Sequence, residues 1–220
     1  YNAPGTYTVT LVASDGSNSM TSTQTEYITV LASPGAQPPV QEGFESISAF
    51  NAPDWFVSNV HGDNTWTVTN AAAYTGSKSA RIVNAAAMDG RIDELLSRTY
   101  DMSAATQITL SFRYAFAKRA NANDDVLRIW TSANCGQTWT LRRIMRGSNT
   151  LPTAPNTTSS FVPNGPSQWG FAEITTISST SHVPNFRFKF EFESDGGNNI
   201  YLDDININGQ PVGVEELTGN

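Results

Sequence analysis

The sequence predicts an all-β fold: a two-sheet antiparallel sandwich of the jelly-roll type. Three observations carry that expectation. Ile108, Leu110, Phe112, Tyr114 and Phe116 alternate with Thr109, Ser111, Arg113 and Ala115, and Phe186, Phe188, Phe190 and Phe192 alternate with Arg187, Lys189 and Glu191. Strict period two places one face of each strand in a core and the other toward solvent. Gly, Asn, Asp and Ser turns separate such runs, and no stretch carries a helical period. Many short strands with long connections favour two packed sheets over one.

Taken in order, the chain opens with Pro4-Gly5, a turn feeding the alternating strand Thr6–Leu11, with Tyr7, Val9 and Leu11 on one face. Asp15-Gly16 marks the next turn and Glu26–Val30 a second strand. Two strands cannot close a core. The form Tyr-x-x-Pro-Gly-Thr-Tyr-Thr-Val-Thr-Leu, present from Tyr1 to Leu11, resembles the end of a PKD domain, an immunoglobulin-like sandwich. That resemblance implies that residues 1–31 are the last strands of a truncated module of that kind. Residues 32–40, with Pro34, Pro38 and Pro39, have the composition of an extended linker.

Bulk composition narrows the function classes. A net charge of −7 disfavours a phosphate backbone as partner, so nucleic acid is not expected. One cysteine, Cys135, permits neither an intramolecular disulfide nor a multi-cysteine zinc site. His61 and His182 stand apart in the sequence and read as loop residues. No apolar run reaches transmembrane length, and 39% hydrophobic residues suffice for a packed core. Acidity with abundant Ser, Thr, Asn and Gly and few Lys fits an extracellular β-protein.

Residues 41–209 are expected to form the sandwich. Phe44-Glu45, Asp63-Asn64-Thr65-Trp66, Tyr74–Ala80, Leu96-Ser97, Phe112-Arg113-Tyr114 and Leu202-Asp203-Asp204-Ile205 follow one another in the order seen in MAM-type jelly rolls. Asp93–Leu96, Ser132–Trp139, Leu151–Pro155 and Gly197–Tyr201 look more like the cleaved-adhesin group that follows PKD modules in secreted Bacteroidetes metallopeptidases. The resemblance implies a concanavalin-like jelly roll in a secreted or cell-surface multidomain protein. It departs from animal MAM domains in lacking their paired cysteines, so their receptor-adhesion role does not carry over. Residues 210–220, with Pro211-Val212-Gly213, resemble the junction before a C-terminal sorting domain of the type IX secretion route.

The site candidates begin with the strand Ile200–Ile207, whose apolar run is interrupted by Asp203 and Asp204. Carboxylates among buried side chains need hydrogen bonds, an ion pair or a metal. Gly43-Phe44-Glu45 is the expected partner, sharing a cation with that strand. A structural calcium is the expected ion, because a hard dication takes carboxylate and carbonyl oxygens. The resemblance to calcium-binding jelly rolls implies Glu45, Asp203 in preference to Asp204, and backbone carbonyls around Gly76 and Lys78, with Asp63 as a further ligand. The competing reading is that these acids accept hydrogen bonds or pair with Arg81 or Arg91.

Trp55, Trp130, Trp169 and Tyr74 are the aromatics least fixed by a clean alternating row. Exposed, they would stack on sugars or anchor a protein; buried, they fill the sandwich. Ser132-x-Asn134-x-Gly136-x-x-Trp139 resembles an Asp-box hairpin with Asn in place of the acid, a turn beneath which Trp139 packs. The Arg146–Trp169 loop is long for a compact domain, and such loops are often functional. No catalytic role is assignable: the acids of Asp93-Glu94, Asp124-Asp125 and Asp203-Asp204 are sequence neighbours, which point to opposite faces of a strand. The expected function is therefore a non-catalytic accessory domain, monomeric, recognising protein or glycan or its own catalytic domain. A carbohydrate-binding module and a structural spacer are the alternatives.

Overall fold

A computed structural model describes residues 1–50 and 54–208. Residues 210–220, expected to be a linker, lie outside the described residues. β1 (Gly5–Ser14) and β2 (Ser19–Val30) form a two-stranded antiparallel sheet. Its turn is closed by Asp15 Oδ1, which accepts from the Ser17 and Asn18 amides at 2.9 and 2.7 Å. Leu11, Val12, Met20 and Tyr27 are 59–80% exposed, so this hairpin contributes little to a core.

The remaining strands make two antiparallel sheets. The five-stranded sheet contains β4 (Trp55–Asn59), β7 (Ile92–Ser97), β9 (Val126–Ser132), β10 (Thr140–Arg146) and β12 (Arg187–Glu193), in the order β10-β9-β12-β7-β4. The other contains β3 (Val40–Glu42), β5 (Thr67–Thr69), β6 (Ser79–Ile82), β8 (Leu110–Phe116), β11 (Gly170–Ile174) and β13 (Ile200–Ile207). Its order is β11-β8-β13-β6-β5, with β3 also on β13. The chain is thus an all-β sandwich preceded by a hairpin.

The two expected aromatic rows meet between these sheets. Phe186, Phe188, Phe190 and Phe192 are buried, as are Ile108, Leu110, Phe112, Tyr114 and Phe116. Phe112 and Phe190 pack edge-to-face at 4.9 Å, and Trp55 and Tyr100 both lie 5.8 Å from Phe188. Each phenyl ring removed from water contributes ~1.5–3 kcal/mol, so these rows supply much of the cohesion.

The outer faces depart from the expected solvent exposure. Arg187 and Lys189 are only 8% and 7% exposed, and Ser111 and Ala115 are buried. Alternation correctly separates inward from outward side chains, but it carries no information about what covers the outward ones. Over β8 and β13, Phe161 and Trp169 from the β10–β11 crossover pack on Ala115, Ala117 and Tyr201.

β13 changes parity along its length. Ile200 and Leu202 face the core, and so do Ile205 and Ile207, two odd positions after two even ones. The switch is a bulge: the pairing with β8 shifts between Asp203 and Asn206, and Asp204 has φ +45°. A bulge residue inverts the register downstream and is tolerated in the left-handed region by Asp more than by most residues.

Residues 32–39 do not run free. Thr99 Oγ1 donates to the Ala32 carbonyl at 2.6 Å, the Ala36 amide to the Thr99 carbonyl at 2.9 Å, and the Gly35 amide to the Pro184 carbonyl at 2.8 Å. A Cβ at Gly35 would stand 2.4 Å from the Thr99 carbonyl carbon, so only glycine permits this approach.

Replacing Phe190 by Ala is expected to cost ~3–5 kcal/mol by chemical denaturation, because it opens a cavity where the sheets meet. Val60→Ala, at an exposed position, is expected to change stability by no more than about 0.5 kcal/mol. Equal effects would contradict this placement of the core.

Candidate functional site

Asp203 is fully buried on the outer side of β13, opposite Arg113 of β8. Its Oδ2 accepts from the Tyr74 amide at 2.6 Å and, less closely, from the Thr75 amide at 3.4 Å; its Oδ1 accepts from the Asp204 amide at 2.7 Å. Burial, reinforced by the neighbouring Asp204 charge and opposed by these amides, pushes its carboxyl up to about 7. Asp204 is also raised, chiefly by burial. Thr75 Oγ1 donates to Asp204 Oδ1, while Asp204 Oδ2 is buried with no hydrogen-bond partner among the described residues. Two adjacent acids in the sheet interior therefore hold the start of the 74–78 loop and keep one oxygen unspent.

Glu45 holds the rest of that loop. Its Oε1 accepts from the Ser77 and Lys78 amides at 2.8 and 2.7 Å, and its Oε2 from Ser77 Oγ at 2.8 Å. These bonds, the Ser77 amide first, hold its carboxyl below the usual range. Lys78 Nζ donates to the Glu45 and Ile47 carbonyls, both at 2.9 Å. Gly76 sits in the left-handed region at φ +65°, and a Cβ there would lie 2.5 Å from Glu45 Oε1. The loop thus turns amide N–H groups toward Glu45, where the resemblance implied carbonyls around Gly76 and Lys78 directed at an ion.

Glu45, Gly76, Lys78 and Asp203 therefore share one loop, but Asp63 does not join them. Its carboxylate pairs with Arg91 at 3.2 Å, and its carbonyl accepts from Asn59 at the far end of β4 from Trp55. Among the described residues no group of three or more His, Cys, Asp and Glu side chains converges in metal-binding geometry.

The four aromatic candidates separate. Trp55, 2% exposed, packs on Phe44, Phe50 and Phe188 and donates Nε1 to Glu42 at 3.2 Å. Trp169, 7% exposed, packs on Tyr74 and Tyr201. Both fill the structure and offer no open ring face, which corrects the expectation that they could stack on a ligand. Tyr74 is half-buried, with the Arg113 guanidinium 4.2 Å above its ring.

Trp130 stands on the outer face of the five-stranded sheet, directly across from Lys189 and Leu141. Lys189 Nζ lies 5.7 Å from its ring centroid and 5.1 Å from that of Trp139. Arg187 lies 5.4 Å over Phe56. The charges are cross-paired: Lys189 with Glu94 and Glu191, Arg128 with Glu191 at 3.0 Å and Glu193 at 2.6 Å. Trp130, Trp139 and Phe56 are half-buried and Leu141 is 43% exposed. Sequence reasoning assigned Trp139 to a turn and passed over Phe56. The Ser132–Trp139 turn is indeed closed by Ser132 Oγ and Asn134 Oδ1, which accept from the Gly136 and Thr138 amides at 2.8 and 2.9 Å. Its outcome is to carry the Trp139 ring onto the sheet face.

The raised Asp203 sets a pH dependence. Between its ordinary 3.8 and about 7 the folded protein retains a proton that the unfolded chain releases, so stability falls as pH rises through that window. In calcium-free buffer the melting temperature is expected to fall between about pH 5 and about pH 8, and less steeply in Asp203→Asn. Identical slopes in the two proteins would contradict the assignment.

No protein-family model matches this sequence, and no curated protein matches it either. Solved structures do. The K2 cleaved adhesin domain of Lys-gingipain (Kgp) aligns at 18% identity over 78% of this chain and 100% of that domain, with a TM-score of 0.53. The K3 cleaved adhesin domain of Lys-gingipain (Kgp) from Porphyromonas gingivalis w83 aligns at 16% identity over 77% and 98%, with a TM-score of 0.54. The carbohydrate-binding module CBM27-1 of Caldicellulosiruptor saccharolyticus, in complex with mannohexaose, aligns at 13% identity over 77% and 96%, with a TM-score of 0.50. At these identities the likeness is one of fold: the chain has the β-sandwich architecture of cleaved adhesin domains and of this carbohydrate-binding module.

Proposed function

We propose that the chain is a non-catalytic recognition domain that binds protein or glycan through the outer face of its five-stranded sheet. The observation that carries this reading is the cluster of Trp130, Trp139, Phe56 and Leu141 around Lys189 and Arg187. Amphipathic rings beside charges of both signs are the composition of binding hot spots. Lys189 and Arg128 are already ion-paired within the face and Arg187 Nε donates to the Ser97 carbonyl at 2.9 Å, so the face is ordered before a partner arrives, which lowers the ordering cost of binding. Named adhesin and carbohydrate-binding domains share the fold. A glycan partner is favoured by the carbohydrate-binding neighbour, a protein partner by the Arg and Trp content.

The setting we propose is a secreted or surface multidomain protein. This rests on the adhesin-type neighbours, on the PKD-like form of residues 1–11 and, for a metallopeptidase parent, on the sequence resemblance alone. Among the described residues no helix is long and apolar enough to cross a membrane.

The test is binding to a panel of immobilised extracellular proteins and polysaccharides with wild type and a Trp130→Ala/Trp139→Ala double variant. Binding to at least one member, weakened about tenfold or more in the variant, is expected. No binding to any member, or equal binding by both proteins, would overturn the reading and leave a spacer.

We also propose a structural calcium at the Asp203–Asp204 step. The residues fit in one respect: Asp204 Oδ2 is a buried carboxylate oxygen without a hydrogen-bond partner among the described residues, beside an Asp203 whose ionised form is penalised. Bound there, a dication supplies the charge that two buried carboxylates lack. Glu45 then serves the site from outside, by fixing the loop that covers it. Calcium is expected to raise the melting temperature over that in chelator, by mass action, with the increment lost in Asp203→Asn. A melting temperature indifferent to calcium would sink this proposal.

A further inference from the structure

The β10–β11 crossover carries a cleft that lies apart from the outer face of the five-stranded sheet. Between Gly147 and Trp169 it carries one short turn of 3-10 helix, Pro166–Gln168. Loops of this length without secondary structure are usually functional or disordered. This one is tied down by buried polar groups. Asn198 Nδ2 donates to the Thr157 and Ser159 carbonyls at 2.9 and 2.8 Å, and its Oδ1 accepts from the Phe161 amide at 2.8 Å. Asn199 Nδ2 and the Tyr201 hydroxyl donate to the Phe161 carbonyl at 2.9 and 3.0 Å. Arg119 Nη1 adds a bond to the Thr158 carbonyl at 2.6 Å.

Asn198, Asn199 and Tyr201 are themselves buried. Burying such groups is costly unless each is satisfied, and here the loop backbone is what satisfies them. The loop is therefore held in one shape by the end of β13, independently of the phenyl rows in the core.

On its outer side this loop forms an open cleft of about 330 Å³ lined by Asn156, Ser160, Asn164 and Gln168 together with Phe161 and Val162. No residue lining it carries a charge. Gln168 Oε1 accepts from the Asn164 amide at 2.9 Å, which leaves the Gln168 NH₂ group as a pair of donors. The Asn164 and Ser160 side chains make no hydrogen bond to described residues, and Val162 is exposed.

We propose that this cleft binds a neutral saccharide residue. Amides and hydroxyls donate and accept at once, as sugar hydroxyls require, and the exposed Val162 side chain offers an apolar surface to the C–H face of a pyranose ring. An anion would meet no cation in the cleft and an overall charge of −7; an apolar ligand would strand the amides at a cost. The volume lies at the lower end of the range for small-ligand sites, about 300–1,000 Å³. Backbone fixation before binding reduces the entropy that a ligand must overcome.

The test is a two-dimensional amide NMR titration with mannose, galactose, N-acetylglucosamine and short neutral oligosaccharides of each. Shift changes are expected at amides between 156 and 168 for at least one of these probes. Gln168→Glu keeps the acceptor for the Asn164 amide and removes the NH₂ donors, so the loop stays folded while affinity falls about tenfold. Asn164→Ala is expected to do the same, and Val60→Ala, at an exposed position outside both surfaces, to leave this binding unchanged. Shift changes absent from 156–168 with every probe would overturn the proposal. So would changes confined to the Trp130–Trp139 face, an outcome that would keep the sheet-face reading. Undiminished binding by Gln168→Glu would also overturn it.

Discussion

The fold depends on a central strand that is buried on both sides and carries polar groups on one of them. β13 lies between β8 and β6, takes β3 along its C-terminal half, and is buried at every position from Ile200 to Ile207. Its inward side chains join the phenyl rows. Its outward ones, Tyr201 and Asp203, together with the preceding Asn198 and Asn199, have no water to bond to and so must be satisfied by the protein. What satisfies them is backbone from remote loops: 74–75 on Asp203 and 157–161 on the asparagines and Tyr201. One strand thereby both closes the sandwich and places the loops over it.

The two ends of this arrangement have different electrostatic consequences. Around Asn198 and Asn199 the bonds are neutral and numerous, and they leave a stiff loop with unspent amides facing outward. At the bulge the groups are charged. Asp203 and Asp204 sit side by side with fewer donors than two carboxylates accept, and burial resists their ionisation. The left-handed Asp204 is part of the same feature, because the parity change that returns Ile205 and Ile207 to the core occurs across these two acids. Glu45 is exposed and well supplied with donors, which suits a clasp on the loop rather than a primary ligand.

Much of the core was legible because alternation of Phe with polar residues has one physical meaning. The parity change was legible in principle: Ile200 and Leu202 fall on even positions, Ile205 and Ile207 on odd ones, and only a bulge reconciles them. The fates of Arg187, Lys189 and Trp139 were not legible, since they depend on which strand neighbours β12 and on a turn that redirects Trp139. The loop site was invisible for a similar reason. Asn156, Asn164 and Gln168 read as ordinary loop polarity until Asn198 and Asn199, some 30–40 residues away in sequence, fix the backbone between them. Trp55 and Trp169 could be placed only once their burial was known.

Native-state amide hydrogen exchange on the intact chain tests the organising role of β13 most directly. The account predicts that amides of Ile200–Ile207 exchange only through global unfolding, and that Tyr74 and Phe161, whose amides bond to Asp203 and Asn198, are protected well above ordinary loops. The β1–β2 hairpin, with its open faces, is predicted to exchange at far lower free energy. Protection of the hairpin equal to that of β13, or exchange of β13 by local opening while the phenyl-bearing strands stay closed, would contradict it.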